Sequence, residues 1–263
     1  MRLASQAKEL LRAIKAADGN VVAELREHHP ESIDPAAAKL ADAELVLARS
    51  YGASSWTRLV HAVQLADAIW RDDLDRVRAL ITRNAALVHE QVLPGTDGNW
   101  GPPMTFAANL GRDRIIRLLY DQGARDLEPP AGRAALQGKA DTVRLIYDLA
   151  GRPSLEKSTL AGPAYRLGVE GTTVLLALGA RTIGPEGVDR NTMEHLLGTD
   201  SRNPPAKHGI LEMYVEYGFE PPDTPVTALH RGRIDRDTGA DRFANTATRR
   251  RSTGASGTTR KSS

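Results

Sequence analysis

The chain has 263 residues, 5% of them aromatic with only three Phe, no cysteine, and a formal net charge of +2. This length accommodates one or two domains with a sizeable core, and the scarcity of aromatics makes that core one of Leu, Ala, Val and Ile. The lack of cysteine excludes disulfides, thiolate metal sites and cysteine nucleophiles, which fits a reducing cytoplasm.

The basic balance belongs to the end of the chain. Residues 236–263 hold seven Arg or Lys against two Asp, a net of +5, which leaves −3 of the whole-chain +2 for residues 1–235. The body is mildly acidic and carries no strong electrostatic invitation to nucleic acid.

From Ser5 to Ala17 the apolar residues Ala7, Leu10, Leu11 and Ile14 keep helical spacing, and Asp18-Gly19 supplies the stop. The charges at Lys8, Glu9, Arg12 and Lys15 make this an amphipathic helix and not a signal peptide. Val21, Val22 and Leu25 start a second helix that ends near His28-His29-Pro30. Asp34-Pro35 then reads as N-cap and first helical position, opening a helix from Ala36 to Tyr51-Gly52. Ser54-Ser55-Trp56 opens another, with Leu59, Val60 and Val63 on one face and Trp56 expected as a packing wedge. These elements form an N-terminal helical cap region over residues 1–64.

Leu65 to Arg71 and Leu74 to Arg83 are expected to be the first of a series of helix pairs, with Arg71-Asp72-Asp73 as the turn. A turn-rich excursion at Pro94-Gly95-Thr96-Asp97-Gly98 separates it from the phrase PPMTFAANLGRDRIIRLLYDQGAR at 102–125. That phrase returns at 134–152 as AALQGKADTVRLIYDLAGR and, eroded, at 164–181 as AYRLGVEGTTVLLALGAR. Gly111 answers to Gly138, Tyr120 to Tyr147, Asp121 to Asp148 and Arg125 to Arg152. A phrase of short helix, Gly turn, apolar helix and Gly-Ala, recurring about every 30 residues, is the signature of a stacked helical solenoid.

Thr192 to Thr199 and Ile210 to Tyr217 suggest a further pair, split by a polar insertion at 201–205. Thr224-Pro225 through Asp235 begins another unit with a turn at Gly232, but no apolar second helix follows. Residues 236–263 contain one large apolar residue, Phe243, so a disordered basic tail is expected. Two origins stay open for it, a genuine flexible tail and a reading-frame change or truncation.

The 102–125 phrase resembles the ankyrin repeat. Pro103 stands at the helix start, and Phe106-Ala107-Ala108, the Gly111 turn, Ile115-Ile116-Arg117-Leu118-Leu119 and Gly123-Ala124 all follow the family pattern, while only Thr105 remains of its polar anchors. The segment at 42–63, with its Ala-Arg-Ser-Tyr-Gly turn before Ser-Trp, is similar to a helical element of bacterial ankyrin-repeat proteins. The resemblance implies an all-α, ankyrin-like solenoid over 65–235, with short or degenerate β-turn fingers, acting as a non-catalytic protein-interaction scaffold. It implies binding through the finger tips and first helices, which here selects Asp97, Asn99, Trp100, Asn109, Arg112, Tyr165 and Arg166. The expected partner is a protein of unknown identity bound by a cytoplasmic monomer, with no membrane span and no specific nucleic acid.

Motifs for chemistry are missing. None of the seven histidines has a metal-binding spacing, and His28-His29 suits a solvated helix end. Gly132 to Lys139 imitates a phosphate loop but has five residues between glycines, and Ala140 stands where the hydroxyl for magnesium would be. Asp72, Asp73 and Asp75 open a helix, where acidic side chains offset the dipole. No cofactor is expected. Two alternatives are a small-molecule enzyme or metal-dependent hydrolase around His61, His89 and Glu90, and nonspecific nucleic-acid contact through Arg249-Arg250-Arg251.

Overall fold

A computed structural model describes residues 2–90, 101–155, 159–181, 183–184, 187–188, 190–198 and 203–219. The described residues are helical throughout except for one hairpin of two-residue strands. By its internal contacts the chain forms two units, Met1–Leu155 and Glu156–Ser263.

The first unit begins with α1 (Arg2–Lys15), α2 (Gly19–His28), a 3-10 turn at Pro35–Ala37, and α3 (Leu40–Ser50). Helices α1 and α2 both pack on α3. They bury Ile14, Leu25, Ala38, Ala43 and Val46, with Leu10, Leu11, Val21 and Ile33 around them. The helix expected to run unbroken from Ala36 is interrupted. Ala38 is buried in an extended conformation, and the Asp42 carboxylate accepts a hydrogen bond from the Lys39 backbone N–H at 2.7 Å, restarting the helix at Leu40.

Helix α4 (Trp56–Trp70) is capped by Ser55, whose Oγ accepts from the Arg58 backbone N–H, and Trp56 packs half-buried against Ala48, Ala53 and Leu59. Its 15 residues run straight through the position where one element was expected to end and another to begin. Nothing at Val63-Gln64-Leu65 breaks a helix, and Leu59, Ala62, Leu65, Ala68 and Ile69 keep one buried stripe across it. The N-terminal region and the first helix pair therefore share α4.

Three pairs follow: α4 with α5 (Leu74–Arg83), α6 (Pro103–Leu110) with α7 (Asp113–Asp121), and α8 (Glu128–Leu136) with α9 (Ala140–Leu149). The first helices pack in series, α4 on α6 and α6 on α8, and α5 packs on α7. Ala107, Ala108, Ala134 and Ala135 are buried where these first helices meet, because a methyl group lets backbones approach. Ile115, Ile116, Leu118 and Leu119 fill the core from α7, as Val143, Leu145 and Ile146 do from α9.

The second unit repeats the order with α10 (Ala161–Arg166), α11 (Val169–Ala177), α12 (Arg190–Gly198) and α13 (Pro204–Glu216). Here α10 packs on α11 and α12, and α11 on α13. The hairpin β1 (Ile183–Gly184) and β2 (Gly187–Val188) lies between α11 and α12, and is antiparallel. Helix α13 starts earlier than its apolar residues suggested. Asn203 caps it and Pro204 and Pro205 occupy its first turn, where a missing N–H costs nothing, so the expected polar insertion is largely a helix start.

Helices this short expose a large share of their terminal carbonyls, and side chains from elsewhere satisfy them. Arg49 donates to the His28 carbonyl of α2, Arg125 to Tyr120 of α7, the Tyr120 hydroxyl to Leu149 of α9, and Arg181 to Leu176 of α11. Cations placed there also suit the negative end of the helix dipole.

Candidate functional site

Five inter-helix turns share one geometry, the one at Ala17 between α1 and α2, with φ of 55° and Asp18 as the next N-cap, and four that follow it. At Asp72, Gly111, Gly138 and Leu167 the backbone turns left-handed, with φ of 59°, 72°, 67° and 53°. At each, two N–H groups reach back into the finished helix. Asp73 bonds to the Ala68 carbonyl, Arg112 to Ala107, Lys139 to Ala134 and Gly168 to Pro163, while the left-handed residue itself bonds to Ile69, Ala108, Ala135 or Ala164. The residue after the turn, Asp73, Arg112, Lys139 or Gly168, is the N-cap of the next helix. This is a Schellman closure joined to a helix start, and it sets a common register for positions before and after each turn.

In that register, the residue two before the turn is Trp70, Asn109, Leu136 or Tyr165. Trp70 is 60% exposed and Tyr165 62%, while Asn109 and Leu136 are half-buried. Within the first unit, Trp70, Asn109 and Leu136 thus form one row across α4, α6 and α8. In the second unit Tyr165 stands edge-on to His195 of α12, ring centroids 6.0 Å apart at 70°.

At two of the turns, those of Gly111 and Gly138, the residue after the turn leans back over the preceding turn. Arg112 Nη2 donates to the Trp70 carbonyl at 2.6 Å, and its Nη1 lies 3.9 Å from Asp72. The Lys139 side chain covers Gly111 so closely that an added β-carbon there would stand 3.3 Å from Lys139 Cδ. Below it, Thr142 Oγ1 donates to Asp113 Oδ1 at 2.6 Å, tying α9 to α7.

Of the residues expected to contact a partner, Asp97, Asn99 and Trp100 lie outside the described residues. Asn109 and Tyr165 occupy equivalent places at the ends of α6 and α10. Arg166 is exposed beside Tyr165. Arg112 is committed to the preceding turn, and its Nε is buried with no hydrogen-bond partner among the described residues. Trp70 and Leu136 carry no local mark in the sequence that sets them beside Asn109. Glycine is the mark that aligns the later turns, and Asp72 fills its place in the first, so Trp70 aligns with Asn109 only once the turns themselves are compared.

His61, His89 and Glu90 do not converge as a metal-binding group. Glu90 is held by Arg58, with Nε at 3.0 Å and Nη2 at 2.5 Å from the same carboxylate oxygen. Among the described residues no three His, Cys, Asp or Glu side chains converge on a point where a metal ion could sit. No helix among them is long and apolar enough to cross a membrane. The described residues thus belong to the all-α class, with first helices packed in series within Met1–Leu155. No protein-family model matches the chain, and no curated protein matches it either.

Proposed function

We propose that the chain is a divergent ankyrin-type solenoid serving as a non-catalytic protein-interaction scaffold. The observation that carries this reading is the recurrence of one turn at Ala17, Asp72, Gly111, Gly138 and Leu167, with a buried pair, Ala-Ala or Pro-Ala, before it in the last three. Such recurrence builds neighbouring helix ends into a surface of repeated positions, which is how stacked repeats present binding faces. Asn109 belongs to such a surface in the first unit, and Tyr165 and Arg166 take the corresponding place in the second; Asp97, Asn99 and Trp100 are proposed as partner contacts from the resemblance alone. The scaffold works as a monomer in the cytoplasm, a setting that suits a chain without cysteine.

Crosslinking in the native cell followed by purification of the tagged full chain tests this reading. A discrete protein recovered in near-stoichiometric amount, and lost with denatured bait, is the expected result. Recovery of no protein above the denatured control overturns it.

A further inference from the structure

We draw no further inference here: the strongest candidate, the row of exposed arginines Arg78, Arg117 and Arg144 on the outer faces of α5, α7 and α9, carries nothing, since Arg144 is already paired with Asp141 at 3.0 Å and nothing in the structure shows what covers that face.

Discussion

Arg112 Nη2 donates to the carbonyl of Trp70 at 2.6 Å, and in doing so completes the closure of α4. The last carbonyls of that helix are otherwise filled from its own turn: Asp67 accepts from the Arg71 N–H, Ala68 from Asp73, and Ile69 from Asp72. Trp70 is the one left over, and the next helix pair supplies its donor. One side chain therefore couples the end of α4 to the start of α7, and holds the backbone that presents the Trp70 indole.

Replacing Arg112 by Ala removes a charged hydrogen bond and leaves the Trp70 carbonyl to water. Such a bond is worth about 1.5–3 kcal/mol, and the loss is reduced by the release of the buried, unpartnered Nε. A destabilisation of about 1–2 kcal/mol is expected in urea titration of the full chain. Arg112→Lys keeps the donor and the charge and should recover part of it. An unchanged midpoint in Arg112→Ala would show that the carbonyl is equally well served by solvent.

Gly123 tests the closures at the other ends of the pairs. Its φ is 102°, the Ala124 N–H bonds to the Leu119 carbonyl, and a β-carbon added there would meet nothing within 4 Å. The cost of a side chain at Gly123 is thus conformational and not steric. Gly123→Val should lose at least 1–2 kcal/mol, the scale of the left-handed penalty for L-residues, with Gly123→Ala somewhat milder. Thermal melts showing no loss for Val would mean that the chain reaches the same closure by another backbone path.

How much of this was legible follows from which residues mark it. The turns at Gly111 and Gly138, the apolar stripe of α7 and the short α10 are all readable, because glycine and 3.6-residue spacing are local signals. The turn at Asp72 is also placed, by its Arg71-Asp72-Asp73 run, but its left-handed backbone and that of Leu167 are not, since a left-handed Asp or Leu is held by surroundings that no single residue announces. The continuity of α4 past Val63 is hidden for the opposite reason. Two apolar clusters looked like two elements, yet no breaker lies between them. Lys207 is only 2% exposed with its Nζ 2.9 Å from the Leu197 carbonyl, and a lysine in a helix start gives no sign that it will be buried as a cap. The row of Trp70, Asn109 and Leu136 depends on the turns at Asp72, Gly111 and Gly138 together, so it emerges only from the fold.

The Thr142–Asp113 bond joins two second helices 29 residues apart in sequence. Thr142 is 3% exposed, so its hydroxyl has little access to water as a replacement. Thr142→Val keeps the volume and removes the donor, and should cost about 1.5–3 kcal/mol for a bond to a charged group. Asp113→Asn should cost less, because the amide oxygen still accepts. A double-mutant cycle with Thr142→Val and Asp113→Ala measures the coupling directly, and a coupling indistinguishable from zero would show that the contact contributes nothing.

Asp72 and Leu167 occupy the same turn position as Gly111 and Gly138, and opposite outcomes are expected when each is returned to glycine. Both hold φ near +55°, at a cost of about 1–2 kcal/mol relative to glycine. Asp72 is exposed and has only a long contact to Arg112, at 3.9 Å, to lose. An exposed ion pair of that length is worth about 0–1 kcal/mol, and the greater freedom of glycine in the unfolded chain takes back a similar amount. Asp72→Gly should therefore be neutral to slightly stabilising. Leu167 is 7% exposed, and burying such a side chain contributes about 1.5–3 kcal/mol, more than the strain it tolerates. Leu167→Gly should lower stability by about 1–3 kcal/mol once the cavity is counted. Chemical denaturation of the two variants side by side decides the point: equal shifts of the same sign would mean that the left-handed strain, and not burial, governs both turns.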